Sequence, residues 1–391
     1  MNIEKTVKNI LSDVQKNGDK ALIKYTAKFD RVRLSPRNLK VPNSELKNAW
    51  DSTPPHIKEA LITAKNNIEM FHSAQMPEQW EIEPQYGVKL GQIFRPIEKV
   101  GIYVPGGRAP LVSTVLMTAI PAKIAGVKEI ILTTPPPVDK YILSACYLAG
   151  VTSVYKIGGA QAIGAMAYGT KTIPKVLKIV GPGNVFVTTA KKLVFGDVDM
   201  DMPAGPSEIL IIADNTANPK FIALDLLSQL EHDPMSKATL VATKTKGILD
   251  EINKELKNLE RKNIISKKGL KIIKVPNLDK AVEICNNIAP EHLELMVENP
   301  EKLIPKIQNA GIILIGQYTP VALSDFLAGT NHVLPTGYAA KSFSGLNVRS
   351  FLKTIPIAKY SKNALYRGKQ HIQTFAKIEG LSAHGKSVEC R

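Results

Sequence analysis

Two series of short β-rich runs, spaced by helical segments, constrain this chain more than any other feature. The first series is Val100-Gly-Ile-Tyr-Val104, Glu129-Ile-Ile-Leu-Thr133, Val154-Tyr-Lys-Ile157 and Leu177-Lys-Ile-Val180, each followed closely by Gly or Pro. The second is Ile209-Leu-Ile-Ile212, Ala238-Thr-Leu-Val-Ala242, Leu270-Lys-Ile-Ile-Lys-Val275 and Ile312-Ile-Leu-Ile315, with helices over 217–232 and 278–288. Strands that alternate with helices form parallel sheets, because a parallel crossover needs a connection of helical length. The pattern predicts an α/β protein of two Rossmann-like parallel-sheet units. They join in the loop Asp199-Met-Asp-Met-Pro-Ala-Gly-Pro-Ser207. Before the strands, residues 1–30 read as a helix, with Ile3, Val7, Ile10, Leu11 and Val14 at helical spacing, and another runs from Pro54-Pro55 to about Met70. From Tyr360 onward the chain reads as a polar helical tail without a strand.

A formal charge of +16 is one signature of a nucleic-acid binder. Here the lysines are spread along the chain, as Lys5, Lys58, Lys123, Lys175, Lys254, Lys306 and Lys362 show. The densest stretch, Lys257 to Lys274, reads as a solvated helix end and loop. With 6% aromatics there is no basic, aromatic stacking platform. The charge therefore reads as a lysine-rich surface, which also favours anionic cofactors. The start Met-Asn-Ile-Glu-Lys-Thr-Val lacks the pattern of a signal peptide, and no apolar run reaches spanning length. Cys146, Cys285 and Cys390 lie far apart without a CxxC, which points to the reducing cytoplasm and inert thiols.

Four of the seven histidines sit in short polar islands within apolar sequence: His232, His292, His332 and His384. Each has an acid or amide beside it, which suits a metal site joined to an acid/base pair. Gln229 and His232, spaced i, i+3 on a predicted helix, share a face that could grip one ion; a polar helix end is the plainer reading. Asp325 lies seven positions before His332, across the turn-rich Gly329-Thr-Asn-His-Val-Leu-Pro335; it reads as a carboxylate ligand or a helix cap. Glu291 and His292 are adjacent and point in different directions, so they suit two separate steps, or else a charged element end. Three glycine turns, Tyr103-Val-Pro-Gly-Gly107, Gly158-Gly-Ala-Gln161 and Val180-Gly-Pro-Gly-Asn184, follow strands in one unit, at the edge where open α/β sheets bind ligands. No GxGxxG follows a strand, so the ordinary dinucleotide fingerprint is missing and the units are incomplete as Rossmann folds.

Together the islands and turns resemble histidinol dehydrogenase. The likeness rests on Tyr103-Val-Pro-Gly-Gly, Val-Leu-Met117, Gly-Gly-Ala-Gln161-Ala-Ile, Gly-Pro-Gly-Asn184, Asp-Met-Pro-Ala-Gly-Pro-Ser207-Glu, Asp-Leu-Leu-Ser-Gln229-x-Glu-His232, Pro-Glu291-His292-Leu, Ser-Asp325, Gly-Thr-Asn-His332-Val-Leu-Pro-Thr and Ser-Ala-His384, in order over nearly the whole chain. It implies zinc-dependent oxidation of L-histidinol to L-histidine through L-histidinaldehyde, with two NAD. By motif, Gln229, His232, Asp325 and His384 would be the zinc ligands. Glu291 and His292 would be the catalytic acid/base residues. Ser207, Gln229, His232, His292, Asp325, His332, Glu379 and His384 would bind substrate, and Tyr103, Gln161 and Asn184 would bind NAD. The resemblance also implies a homodimer with shared sites, the tail bringing Glu379 and His384 to the partner. The expected division is 1–102 with 209–346, then 103–208 on the NAD side, then 347–391 as a helical tail. The chain is expected to lack a short N-terminal extension. Leu-Ser-Asp-Phe in the site loop, and Met235 in place of a small polar residue, depart from the expected pattern without removing a ligand.

The residues agree with that chemistry. A neutral imidazole takes a hydroxyl proton, a carboxylate activates water for the aldehyde, and the hydrated aldehyde is again a carbinol. A substrate-holding metal tolerates Gln and Asp, whereas a structural zinc favours thiolates. Two other classes compete: a metal-dependent hydrolase using His232, Asp325 and His384 with Glu291 as base, and a basic nucleic-acid or scaffold protein.

Overall fold

The computed structural model describes residues 2–106, 110–202, 205–244, 246–258 and 267–391. Gly107 of the first glycine turn, part of the joining loop (203–204) and part of the lysine-rich stretch (259–266) lie outside these residues. The chain forms two compact units, Met1–Gln75 with Glu98–Phe351, and Met76–Ile97 with Leu352–Arg391.

The first unit opens with helices α1 (Ile3–Asn17), α2 (Asp19–Phe29), α3 (Asn43–Asp51) and α4 (Pro55–Ser73). The helix expected over 1–30 is broken at Gly18, whose φ of +51° ends one helix and begins the next. Strands β1 (Trp80–Gln85) and β2 (Val88–Pro96) belong to the second unit. The first unit then resumes with β3 (Lys99–Tyr103), α5 (Val112–Ala125), β4 (Glu129–Thr134), α6 (Lys140–Ala149), β5 (Ser153–Lys156), α7 (Gly159–Tyr168), β6 (Lys178–Val180), α8 (Val185–Val194) and β7 (Asp199–Met200). These strands form a parallel sheet in the order β5-β4-β3-β6-β7. Helices α1 and α2 share its core: Val7, Ile10, Leu11 and Leu22 pack with Ile163, Met166 and Val187 of α7 and α8. By packing, this part of residues 1–102 sides with the first sheet.

A second series follows: β8 (Glu208–Ala213), α9 (Pro219–Leu230), β9 (Lys237–Ala242), α10 (Ile248–Asn258), β10 (Leu270–Lys274), α11 (Leu278–Ile288), β11 (His292–Met296), β12 (Ile312–Ile315) and α12 (Val321–Phe326). Its parallel order, β10-β9-β8-β11-β12, repeats the order of the first sheet. Ile209 and Ile211 face one apolar core, while Leu210 and Ile212 face another. A sheet covered on both sides therefore reads as a continuous apolar run instead of an alternating one.

The second unit is an antiparallel sheet, β1-β2-β13, with β13 at Leu352–Tyr360, followed by α13 (Lys362–Ile378) and α14 (Ser382–Glu389). The helical C-terminal end agrees with expectation, and the antiparallel sheet was not anticipated. β1 and most of β13 are exposed on both faces, so neither shows the one-sided apolar alternation by which a strand is read.

Candidate active site

The charged chemistry gathers at the amino-terminal edge of the second sheet. β8 and β11 are hydrogen-bonded neighbours, with His292 opposite Ile209. Glu208 and His292 are the first residues of these strands, and Glu291 immediately precedes β11. Glu291 and His292 are both buried. One Glu291 carboxyl oxygen, Oε2, accepts the backbone N–H of Glu208 at 2.9 Å and lies 3.7 Å from His292 Nδ1. Burial raises the Glu291 carboxyl well above its ordinary pKa, and the negative charges of Asp325 and Glu208 add to that. Burial lowers His292 to about 4, against the pull of Asp325. Neither ring nitrogen of His292 has a hydrogen-bond partner among the described residues. Unpaired buried nitrogens are costly unless something else meets them, so they mark a place for a ligand.

Helices returning over the sheet bring further groups to the same edge. Gln229 lies in the last turn of α9, buried, with Oε1 lacking a partner among the described residues. His232 stands just past the end of that helix, not on its face as the i, i+3 spacing implied. Asp325 lies near the end of α12, between two imidazoles: Oδ2 is 3.7 Å from His232 Nε2, and Oδ1 is 3.7 Å from His292 Nε2. Burial alone would raise the Asp325 carboxyl, but His232, His292 and His332 together hold it below its usual value. His332 Nδ1 is 2.9 Å from the Asp325 carbonyl oxygen, which can only accept, so Nδ1 carries the proton. Its bare Nε2 lies 3.4 Å from Thr114 Oγ1. Burial lowers the pKa of His332 as well. Ser207, half-buried, directly precedes β8.

Glu379 caps the C-terminus of α13 and His384 lies on α14; both are exposed residues of the second unit. The cluster built by the first unit thus holds Gln229, His232, Asp325, Glu291, His292 and His332. Among the described residues, no three His, Cys, Asp or Glu side chains are disposed to hold a metal ion. His232 and Asp325 are two such groups, and the amide of Gln229 is of a different kind. That incomplete N/O set, with an orphaned amide oxygen, fits a cation that completes its shell from elsewhere.

The glycine turns lie at the carboxyl edge of the first sheet. Tyr103 ends β3, buried, and its hydroxyl oxygen accepts the Gly159 N–H at 3.1 Å. Gln161 lies in the first turn of α7, with a buried Oε1 that has no partner among the described residues. Asn184 caps α8 by accepting the N–H groups of Phe186 and Val187 at 3.0 and 3.1 Å. Gly181 has a φ of +110°, and a Cβ there would lie 2.2 Å from the Tyr103 carbonyl oxygen, so only glycine fits. Lys191 and Asp201, an ion-paired and buried couple, clamp this turn: Lys191 Nζ donates to the Gly181 carbonyl at 3.0 Å, and Asp201 accepts the Gly181 N–H at 2.8 Å. A backbone held open in this way lets a ligand approach closely, and the orphaned amide oxygen of Gln161 suits a hydrogen-bond donor of that ligand, such as a hydroxyl or an amide N–H.

Fold and site together define an α/β protein with ligand turns on one parallel sheet and a buried acid/base cluster on another. The histidinol dehydrogenase family model matches residues 1–391. The histidinol dehydrogenase of Lactococcus lactis is 48% identical over 400 residues, covering 100% of this chain and 93% of its own. That of Aquifex aeolicus is 48% identical over 394 residues, covering 99% and 92%. The crystal structure of the Elizabethkingia anophelis enzyme superposes with a TM-score of 0.96 at 41% identity, covering 100% of this chain and 92% of that one. The chain belongs to the histidinol dehydrogenase family.

Sequence reading missed a second tier of the site. Glu208 accepts the Gly337 N–H at 2.8 Å. Glu294, two residues beyond His292 and so on the same face of β11, accepts the Val321 N–H at 2.7 Å and thereby holds the start of α12. Asp225, one helical turn before Gln229, is also buried. A carboxylate inside an apolar strand was the available signal. Cys146 and Cys285 are buried, and burial pushes the Cys285 thiol up to about 12.

Proposed function

We propose that the chain oxidises L-histidinol to L-histidine through L-histidinaldehyde, with reduction of two NAD, in the last steps of histidine biosynthesis. The observation that carries this reading is the adjacent pair Glu291–His292, buried together at 3.7 Å, with burial holding the imidazole neutral and raising the carboxyl well above its ordinary value. A neutral imidazole beside a carboxyl is the pairing that proton transfer from a hydroxyl and from water requires.

His292 takes the hydroxyl proton of the alcohol, and the carboxylate of Asp325 beside Nε2 steadies the imidazolium that forms. Glu291 then takes a proton from water as its oxygen adds to the aldehyde carbon, while the imidazolium of His292 returns its proton to the carbonyl oxygen, giving a second carbinol and a neutral imidazole. His292 removes a hydroxyl proton again, and the carboxylic acid results. NAD, bound by Tyr103, Gln161 and Asn184, would supply the hydride acceptor in each oxidation. Zinc, held by Gln229, His232, Asp325 and His384, would supply a Lewis acid that fixes the imidazole of the substrate. Ser207, His332 and Glu379 complete the substrate contacts.

The protein works as a homodimer in the cytoplasm, Glu379 and His384 serving the partner's site. In support, the second unit exposes Trp80, Ile82, Ile355, Ile357, Tyr360, Phe375 and Ile378, more apolar surface than a free sheet and helix usually leave bare. No helix among the described residues is long and apolar enough to cross a membrane. By chemistry, 209–346 holds the metal and acid/base residues, 103–208 the NAD side and 347–391 the tail, while within 1–102 the first two helices pack with the first sheet and β1–β2 pair with β13.

The test is to supply purified protein with zinc, histidinol and NAD, and to measure NADH and histidine together. Two NADH per histidine is the expected ratio. Histidinaldehyde accumulating at one NADH each, or no NADH at all, would sink the reading. For the shared site, a mixed dimer of His384→Ala and His292→Ala subunits regains activity in one site. A mixed dimer as inactive as its parents rules out the crossover.

A further inference from the structure

His72 has no role in the chemistry above, yet it is fully buried near the end of α4. Its hydrogen bonds fix its tautomer. The Val348 N–H donates to Gln75 Oε1 at 3.4 Å, so that side chain presents its oxygen; the oxygen lies 2.7 Å from His72 Nδ1, which must therefore carry the proton. On the other side, the Val333 N–H donates to Asn331 Oδ1 at 2.9 Å, which fixes that amide too. Asn331 Nδ2 then has two hydrogens to give. One goes to the Met117 carbonyl at 2.6 Å, and the other faces His72 Nε2 at 3.4 Å. Nε2 is thus a bare acceptor and the ring is neutral, in agreement with burial lowering its pKa.

Asn331 and Val333, the two residues flanking His332, are the ones this chain of bonds holds. Helix α4 supports the same loop at a second point. Asn67 Nδ2 donates to the Leu327 carbonyl at 2.8 Å, and Gly329, at φ +90°, approaches so closely that a Cβ would lie 2.4 Å from the Asn67 carbonyl oxygen. From the far side α5 contributes Met117 to Asn331 and, one turn earlier, Thr114 to His332.

We propose that His72, as the neutral tautomer protonated on Nδ1, is a positioning residue that sets the place of His332 through Asn331. With a hydrogen on Nε2, two donors would face each other. Asn331 would turn away, releasing both the Met117 carbonyl and the Val333 N–H. The functional consequence rests on the reading of His332 as a substrate contact, whereas the clamp itself does not.

Three replacements separate the two sides of the ring. His72→Gln puts an acceptor near the Nε2 position and keeps the bond from Asn331. His72→Asn keeps a donor near Nδ1 but leaves Asn331 unmet, and His72→Phe removes both. In the wild-type holoenzyme, nitrogen NMR of the imidazole is expected to show a protonated Nδ1 and a bare Nε2. Amide exchange at Val333 is expected to quicken in His72→Asn and His72→Phe but not in His72→Gln. Histidinol KM rises about tenfold or more in the first two, the cost of an unmet buried partner, with the KM for NAD unchanged. A proton on Nε2, or Val333 exchange at the wild-type rate in His72→Asn, overturns the proposal. His332→Ala serves as the reference. If it raises histidinol KM while His72→Asn does not, the positioning role fails and the substrate contact stands. If His332→Ala leaves KM unmoved, the contact fails, and Val333 exchange still decides the clamp.

Discussion

The two five-stranded sheets share one strand order and use opposite edges. In the first, Tyr103, Gly159, Gln161 and Gly181 stand at the carboxyl ends of β3, β5 and β6, and what they offer is open glycine turns with uncharged polar side chains. In the second, Glu208, Glu291 and His292 stand at the amino ends of β8 and β11, and what they offer is titratable side chains. The carboxyl edge suits ligands because helix N-termini open there with free N–H groups. The amino edge receives the other ends of the same returning helices. That is why the last turn of α9 delivers Gln229 and the end of α12 delivers Asp325. One frame thus places open turns with uncharged polar groups at one edge and side-chain acids and bases at the other.

The largest effects are expected at the amino edge. Treatment with EDTA should abolish turnover and leave the circular dichroism spectrum unchanged, because the proposed Gln, Asp and His ligands, on separate elements, would hold substrate and no fold would depend on them. Loss of the folded signal together with activity would make the metal structural. His292→Asn should slow both oxidations by roughly 100- to 10,000-fold, the worth of a general base. Glu291→Gln should slow histidinaldehyde oxidation more than histidinol oxidation, since only the aldehyde needs activated water. Equal loss on both substrates defeats that division of roles.

At the carboxyl edge the expected effect is smaller and falls on the cofactor. Gly181→Ala must move a turn held at φ +110° against the Tyr103 carbonyl, at a strain of about 1–3 kcal/mol. NAD binding, followed by fluorescence titration, should weaken about tenfold, while histidinol affinity stays within a factor of about two. A variant that loses histidinol affinity instead would place substrate, not cofactor, at this edge.

Most of both sheets was legible because most strands are short apolar runs set between helical segments, those of the first series closed by Gly or Pro. β11 was the exception in the second sheet. Its run opens with His292 and carries Glu294 inside, and a buried carboxylate hides a strand from any reading of apolar periodicity. The same strand begins with His292, of the proposed catalytic pair, so the local rule failed where a buried polar site displaced it. The antiparallel sheet of the second unit escaped for another reason: its exposed strands have no buried face to mark them. Of the site, the histidine islands gave His232, His292 and His332. His72 gave no sign, because its partner Asn331 lies 259 positions away and its other partner, Gln75, is an ordinary amide just past the end of the same helix.

The smallest expected effect is on stability against pH, where groups of the second sheet tilt the curve and the carboxyl edge of the first does not. In the metal-free protein His292 is held at about 4 against 6.5 when free. The unfolded chain therefore binds the extra proton, and stability falls as pH drops from 6.5 towards 4, by up to about 3 kcal/mol. Burial raises Glu294 well above 4.5 and Asp225 to about 6. For these carboxyls the folded protein binds the extra proton. Their contribution is full below the unfolded values and is lost as pH rises through the folded ones. The two trends oppose each other in the wild type, so its curve should look flatter than either group alone would make it. Relative to wild type, His292→Asn should gain stability at pH 5 over pH 8, and Glu294→Gln should gain at pH 8 over pH 5, as read from urea unfolding midpoints. Gly181→Ala should lower the whole curve without tilting it. A tilt in the glycine variant, or none in the other two, would show that the protons are not bound at the amino edge of the second sheet.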